Sequence, residues 1–363
     1  DTTWYSGASP YILESNVTVK DKALLTIEPG TEIQSKGGGL VIEGRISARG
    51  DNDRIIRFDS AQDGQFWPGI TFASVKDREN HLAFVRVQNA RTAVFCQASS
   101  PTIEQSEFTK NHEAIKIQGV FSKPLVSRNT LYKNKGAAIS VSDGAAPRIV
   151  GNTINDNDHT GVVLHSAAAE ITQNTITRNK NNGIAVKGAE AVIFQNNLVD
   201  NQPYNVFGEM KGEPAKALNN WWGSAAMAAV LSGIHGRVDV SSVLDAPYPQ
   251  GKALAVPILD QKLEGAIQAD AYLILSRSPY RLVKDVVIDG GATLYIEPGV
   301  VIEYEQETSF ITRNGGIVAK GTGEKPITFT AASASPAPGF YVSAVRFSEA
   351  TKINSAFAYC IVK

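Results

Sequence analysis

Polar and apolar positions recur along the middle of this chain at a nearly fixed interval. Five asparagines stand 23, 23, 22 and 22 residues apart: Asn111, Asn134, Asn157, Asn179 and Asn201. Five residues before each of them stands a second polar residue: Ser106, Asn129, Asn152, Asn174 and Asn196. Three residues before each asparagine of the first column stands an apolar residue: Phe108, Leu131, Ile154, Ile176 and Leu198. Self-similarity at such a period is typical of stacked-repeat proteins, in which each unit packs on its neighbours.

The content of one repeat unit predicts strands and turns. Each unit has short runs rich in Ile, Val, Phe and Thr, broken by Asn, Gly, Asp and Lys. Helical repeats need roughly 30 residues or more, and leucine-rich repeats have a regular spacing of leucines. We therefore predict an all-β solenoid whose coils stack in parallel register. The asparagines are predicted to occupy the bends with left-handed φ, and their amides to bond to one another as a ladder.

Two of these units carry a family resemblance. Residues 151–162 (GNTINDNDHTGV) and 173–184 (QNTITRNKNNGI) resemble the pectate-lyase-type repeat. The set of units is similar to bacterial right-handed β-helix repeat proteins, which include the periplasmic NosD-like group. The resemblance implies a right-handed parallel β-helix. It leaves the activity open, because such proteins include lyases, hydrolases, epimerases, tailspikes, adhesins and non-catalytic scaffolds.

The opening of the chain recurs near its end. Residues 9–30 match residues 278–299 at an offset of 269, with SPYIL aligned to SPYRL and IEPG aligned to IEPG. We predict a tandem duplication whose second copy stops early, and we expect the natural chain to continue beyond it.

Composition changes between the two copies. Residues 218–223 (LNNWWG) resemble the terminal signature of many bacterial β-helix repeat domains, and residues 224–234 predict a short helix with Ser224 as its N-cap. Residues 261–267 are interpreted as one or two helical turns. The predicted organisation is a first parallel β-helix at residues 1–223, a helix and linker at 224–270, and the truncated start of a second parallel β-helix at 271–363.

Length, charge and cysteine content narrow the class of protein. The 363 residues carry a net charge of −1, which provides no bulk attraction to nucleic acid or to an anionic membrane. No run of 18 apolar residues is present, so no membrane span is predicted. The solenoid composition and the resemblance favour a mature exported protein of the cell exterior, cell surface or periplasm. Cys96 and Cys360 are predicted to be buried free thiols.

Charged residues flank the first asparagine column and give the candidate site. We call this set the charged turn surface, and it comprises Lys133, Lys135, Asp156, Asp158, His159, Arg178 and Lys180. A carboxylate beside a cation could abstract a proton next to a uronate carboxyl group. The favoured interpretation is a solvated turn on which opposite charges pair. Trp221 and Trp222 are candidate sugar-stacking residues, but sealing of the last coil is the favoured role for them.

These observations favour a non-catalytic exported scaffold that binds polysaccharide or a partner protein in a surface assembly. One alternative is a polysaccharide lyase or glycoside hydrolase acting on an acidic glycan, with calcium as the cofactor of a lyase. Another is a NosD-like periplasmic accessory protein. An enzyme of this fold needs a groove with converging carboxylates or a calcium site, whereas a scaffold has flat ladders. No metal site and no other cofactor is predicted, because the histidines are scattered and no Cys-x-x-Cys occurs.

Overall fold

A computed structural model describes residues 1–73, 79–333, 344–348 and 355–363 of the chain. Contacts divide the chain into two compact units, Asp1–Leu254 and Ala255–Lys363. In the first unit, successive strands up to residue 239 belong to different sheets, and each strand pairs in parallel with its counterparts in neighbouring coils. Strands of neighbouring coils also pair in parallel in the second unit. The prediction of an all-β, right-handed parallel β-helix is confirmed.

Three parallel sheets form the first unit. Sheet 1 contains Thr2–Trp4, Leu24–Ile27, Arg45–Arg49, His81–Ala83, Thr102–Glu104, Leu125–Ser127, Arg148–Val150, Ala168–Thr172, Glu190–Phe194, Ala215–Leu218 and Val238–Asp239. Sheet 2 contains Tyr11–Leu13, Glu32–Ser35, Ile56–Ser60, Val85–Gln88, Glu107–Thr109, Thr130–Tyr132, Thr153–Asn155, Thr175–Thr177 and Asn197–Val199. Sheet 3 contains Val17–Val19, Leu40–Ile42, Ile70–Ala73, Thr92–Gln97, Glu113–Gln118, Ile139–Ser142, Val162–His165, Ile184–Lys187, Val206–Phe207 and Ile234–His235.

The core of this unit is a set of apolar columns that run through successive coils. The predicted apolar column of Phe108, Leu131, Ile154, Ile176 and Leu198 lies on sheet 2 with every side chain fully buried. Strand residues point alternately inward and outward, so each short strand needs only one or two apolar residues to hold its coil.

Two asparagine ladders run beside the core, one at each of the first two bends of the coil. The first ladder joins amide Nδ2 to amide Oδ1 from Asn111 through Asn201 with distances of 2.9–3.2 Å. The second continues from Asn129 through Asn196 to Asn220 at 2.9–3.0 Å. Ser106 ends this second ladder as an acceptor for the backbone N–H of Val85. The predicted ladder is confirmed.

The predicted left-handed backbone lies one residue earlier than expected. In the first ladder, the residues with positive φ directly precede the asparagines, with φ between 53° and 58°. They are Lys110, Lys133, Asp156, Arg178 and Asp200. The left-handed residue turns the chain, which carries the next side chain inward. The asparagine therefore serves as a buried hydrogen-bonding group and not as the turn residue.

The first β-helix continues beyond residue 223, where the sequence pattern had placed its end. Ile234–His235 extends sheet 3 and Val238–Asp239 extends sheet 1. The intervening helix is shorter than predicted and spans Met227–Ser232 after an Ala226 N-cap. Ser224 does not cap it, because its hydroxyl accepts a bond from the Ala226 N–H in a local turn (3.1 Å). A two-stranded pair, Ser242–Leu244 with Ala253–Ala255, follows.

The second unit has two described sheets. The larger contains Lys262–Ile267, Tyr280–Ile288, Val301–Tyr304, Phe310–Thr312, Ile327–Ala331, Val345–Phe347 and Cys360–Val362, and the smaller contains Ala271–Leu273, Thr293–Ile296, Gly316–Lys320 and Ala356–Ala358. The helical interpretation of residues 261–267 is wrong. This segment pairs in parallel with Tyr280–Ile288, and that pairing outweighs its weak local helix preference. The thiols of Cys96 and Cys360 are free, but Cys360 is only partly buried.

Matching contacts confirm the tandem duplication. Ser6–Ala8 and Leu275–Arg277 are both short 3₁₀ helices. The hydroxyl of Tyr11 accepts a bond from the Tyr5 N–H at 2.8 Å, and that of Tyr280 accepts one from the Ile274 N–H at the same distance. The repeated sequence therefore specifies the same local hydrogen bonds twice.

Candidate functional site

The charged turn surface occupies the outer side of the bend between sheets 2 and 3. Lys133, Asp156 and Arg178 take the left-handed position, whereas Lys135, Asp158 and Lys180 follow the buried ladder asparagine. Because successive coils stack in register, these residues form two adjacent outward-facing columns. The structure thus brings the predicted residues together on one face.

The acidic and basic groups of this surface pair with one another. Arg178 donates from Nε and Nη2 to the two carboxylate oxygens of Asp156 at 2.8 and 2.7 Å. Lys180 Nζ lies 2.5 Å from Asp158 Oδ1. His159 Nε2 is within 3.0 Å of the Asn181 amide nitrogen. The two remaining lysines lie over aromatic rings, Lys133 over Tyr132 and Lys135 over Phe66.

This pairing limits the chemistry available to Asp156. Hydrogen bonds from Arg178 hold the pKa of the Asp156 carboxyl below its ordinary value, with further lowering from Asn155 and Lys133. A general base works best with a pKa near the operating pH, so this carboxylate is poorly matched to proton abstraction. The side chains of the Arg178–Asp156 pair are 56% and 41% exposed, which makes the pair a surface ion pair worth about 0–1 kcal/mol.

The two predicted tryptophans lie in different environments. Trp221 pairs with Asn197 in a parallel bridge and is half-buried. The side chain of Trp222 is only 4% exposed, so its ring face is closed to a ligand. Its position fits a packing role within the coil, although further coils follow.

A groove that sequence reasoning missed lies on the outer face of sheet 1. It has a volume of about 700 Å³ and crosses four neighbouring strands between residues 146 and 216. We call it the Val192 groove, and its lining includes Ala146, Arg148, Ala168, Glu170, Thr172, Glu190, Val192, Phe194, Glu213, Pro214 and Lys216. Register places Arg148, Glu170, Val192 and Lys216 in one outward column along its floor.

Side-chain size and loop length make this face concave. Alanines at 146, 168 and 189 leave space beside the central column. Glu213 and Pro214 stand at its border, at the end of the longer connection between Val206–Phe207 and Ala215–Leu218. The only sequence signal for the groove was this lengthening of one connection, which breaks the period without creating a recognisable motif.

The groove combines charged and apolar surface. Arg148 Nε donates to Glu170 Oε2 at 3.0 Å, and Val192 beside them is 52% exposed. Glu190 is two residues from the register partner of Glu170 on the adjacent strand, a diagonal separation of roughly 7–8 Å between Cα atoms. Such a surface offers hydrogen-bonding groups to hydroxyls and an apolar patch to a sugar face or an aliphatic chain.

Neither a metal-binding cluster nor a membrane-spanning helix occurs in the part of the chain that the structure describes. No group of three or more His, Cys, Asp or Glu side chains there is arranged to hold a metal ion. Among the same residues, no helix has the length and apolar character needed to cross a bilayer.

Comparisons with protein families agree with the fold. A model of the right-handed β-helix region matches residues 69–224, and a model of the pectate-lyase-like β-helix domain matches residues 265–356. Each repeat copy is thus matched by a β-helix model. Curated protein sequences contain no significant match to the chain.

Two solved structures are similar to the chain at low sequence identity. One is the catalytic unit of a thermostable GH87 α-1,3-glucanase from Streptomyces thermodiastaticus strain HF3-3, with 10% identity and a TM-score of 0.40 over 94% of this chain and 65% of that one. The chain therefore spans about 65% of that relative's length. The other is the periplasmic alginate epimerase AlgG, with 11% identity and a TM-score of 0.33 over 100% of this chain and 84% of that one. At this level of similarity, neither activity transfers to the chain.

Proposed function

We propose that this chain, a member of the right-handed β-helix proteins, is an exported binding protein that holds polysaccharide in the Val192 groove. The observation that carries the proposal is the groove itself, which combines an exposed apolar residue with charged side chains along one column. Four strands at a spacing of about 4.8 Å span roughly 14 Å, a length suited to a few linked sugars. Coils fixed by two buried ladders hold these side chains in a rigid array, which lowers the entropy lost on binding.

A panel of neutral and acidic polysaccharides tests this proposal by affinity electrophoresis of the purified chain. Val192→Asp places a charge at the apolar centre of the groove, and we expect it to weaken retention at least tenfold. Val120→Asp is the matched control, because Val120 is a similarly exposed valine (63%) on another part of the first unit. No retention of the wild-type chain by any glycan, or equal retention of the two variants, would overturn the proposal.

A second candidate function is hydrolysis or lysis of the bound glycan. The favouring observation is that Glu170 and Glu190 face the same groove from adjacent strands. Paired carboxylates are the usual machinery of glycoside hydrolysis. Release of reducing ends or of unsaturated uronate, abolished by both Glu170→Gln and Glu190→Gln while retention persists, would establish catalysis. Unchanged glycan after prolonged incubation would leave binding as the function.

A further inference from the structure

A second concave site lies at the bend between sheets 1 and 2, in coils that precede the Val192 groove. It has a volume of about 720 Å³, and we call it the Arg86 cleft. Its polar lining includes Asn52, Arg86, Glu107, Arg128, Thr130 and Tyr132. None of these residues lines the Val192 groove, so the two sites can be changed independently.

One wall of the cleft is a preorganised loop. Asp51 accepts hydrogen bonds from the N–H groups of Asp53 and Arg54 at 3.1 and 2.7 Å, and it forms an ion pair with the Arg54 side chain at 2.9 Å. The three following coils make the same bend with a single left-handed residue, which is Phe84, Gln105 or Arg128. The wider loop therefore stands out from the tighter bends, and the space beside it is the cleft.

Hydrogen-bonded side chains support the floor of the cleft. Arg86 Nε donates to Glu107 at 2.6 Å, and the Tyr132 hydroxyl donates to the same carboxylate at 2.5 Å. This bond to Glu107 raises the pKa of Tyr132, so the phenol stays protonated. The carboxylate of Glu107 is thus held by two donors.

A separate set of hydrogen bonds begins at Arg128. Its Nη2 donates to Glu104 at 3.0 Å, and Glu104 lies 2.9 Å from His81 Nε2. The opposite ring nitrogen of His81 faces Arg49 Nη2 at 2.8 Å. Arginine can only donate, so His81 Nδ1 accepts and Nε2–H donates to Glu104. The hydrogen bond from His81 lowers the pKa of the Glu104 carboxyl the most, and the hydrogen bond from Arg128 lowers it further.

Charge and unused donors indicate what the cleft can hold. The charged side chains that line the cleft are Arg86, Arg128 and Glu107, which leaves one positive charge there. A guanidinium has five N–H donors, and Arg128 uses one of them among the described residues. The Arg128 side chain is 65% exposed and that of Arg86 is 38% exposed, so ligands can reach both.

We propose that the Arg86 cleft binds a sugar unit that carries one carboxylate. The single excess positive charge matches one negative charge, and the planar guanidinium fork of Arg128 matches the two oxygens of a carboxylate. Thr130 and Asn52 provide hydrogen-bonding partners for the sugar hydroxyls at the same surface. The proposal goes beyond glycan retention in the Val192 groove, because it names a separate site and the charged group that this site recognises.

Isothermal titration calorimetry with trigalacturonate and with an alginate trisaccharide tests the proposal, with maltotriose as a neutral probe. We expect binding of at least one uronate and none of maltotriose. Arg128→Ala should weaken uronate binding at least tenfold, since a charge-assisted pair is lost. Glu107→Gln should tighten it about threefold or more, because the amide keeps an acceptor for Tyr132 while removing the negative charge that competes for Arg86.

Arg178→Ala is the matched control, because it removes another exposed, ion-paired arginine on the same unit. Uronate binding should be unchanged in this control. Absence of binding to both uronates, equal losses in Arg128→Ala and Arg178→Ala, or weaker binding in Glu107→Gln would overturn the proposal. Loss of binding in Val192→Asp with full binding in Arg128→Ala would assign the uronate to the Val192 groove instead.

Discussion

Asp156 and Asn157 are neighbours in sequence, but they lie on opposite sides of the same bend. The Asp156 carboxylate is on the outside, where solvent reaches it and its ion pair with Arg178. The Asn157 side chain is fully buried and bonds to Asn134 on one side and Asn179 on the other. Both residues belong to regular columns, but the inner column repeats one residue type and the outer column repeats only the presence of a charge. A strict repeat of one residue type therefore accompanies burial, whereas the exposed column varies in sign.

The two columns differ in their exposure to solvent. A hydrogen bond on the exposed side replaces one with water, so its net contribution to the free energy of unfolding is small. When the partner of a buried amide is removed, no water can take the partner's place. The full desolvation penalty of the amide is then lost from the free energy of unfolding. The first ladder therefore stabilises the coils, and the charged turn surface contributes little to stability.

Asn157→Ala should produce the largest effect. It leaves the backbone carbonyl of Leu131 and the amide of Asn134 without their partner, and it creates a small cavity. At about 1–3 kcal/mol for each unsatisfied group, the free energy of unfolding should fall by about 4 kcal/mol. Urea denaturation measures this change. A loss below about 1 kcal/mol would contradict a stabilising role for the ladder.

Glu297 extends the comparison to a buried polar group outside any ladder. Its side chain lies in the second unit, where Oε2 accepts a bond from the Leu275 N–H at 2.7 Å and Lys325 is the nearby cation. Burial raises the pKa of the Glu297 carboxyl from 4.5 to about 7, although the Leu275 N–H and Lys325 oppose the rise. The folded second unit consequently favours the protonated form of the Glu297 carboxyl.

A raised carboxyl pKa gives stability that is present below the unfolded pKa and lost as pH rises through the folded value. The second unit should therefore lose up to about 3 kcal/mol between about pH 4.5 and about pH 7. Glu297→Gln should remove this dependence in urea denaturation at pH 5 and pH 8. Glu28→Gln is the matched control, because Glu28 holds the corresponding position in the first copy and is half-buried. An unchanged pH dependence in Glu297→Gln would show that Glu297 is not its source.

Asp156→Ala should have the smallest effect, a loss of no more than about 1 kcal/mol in the free energy of unfolding. The same substitution removes the partner of Arg178, and added salt should diminish the difference further by screening. Urea denaturation at low and high ionic strength measures it beside Asn157→Ala. A loss as large as that of the asparagine variant would mean that the outside of the bend also stabilises the fold.

Much of the fold could be predicted from the sequence because it is periodic. The spacing of Asn134, Asn157 and Asn179 predicted the coil, and the apolar residue three positions earlier predicted the inward face of sheet 2. The left-handed position was misplaced by one residue, because asparagine is a favoured turn residue, whereas Lys133 and Arg178 are not. Residues 261–267 were misassigned because their strand is specified by pairing with a distant segment, which no local pattern reveals.

The concave sites could not be predicted for a related reason. Both arise where the period is broken, at the loop of residues 51–54 and at the connection that ends in Glu213 and Pro214. Concavity depends on how far a loop projects beyond the neighbouring loops. The residue types along a column do not reveal this distance. The charge pattern of the sequence therefore predicts the charged turn surface but not the Val192 groove.

The most direct test of this account measures retention of one bound glycan by two variants of the same chain. Val192→Asp changes the groove, and the double variant Arg178→Ala with Lys180→Ala changes the charged turn surface. The account predicts that the groove variant loses retention at least tenfold while the turn-surface variant matches the wild type in affinity electrophoresis. Loss of retention in the turn-surface variant, with retention intact in the groove variant, would contradict it and would place the binding site on the predicted charge columns.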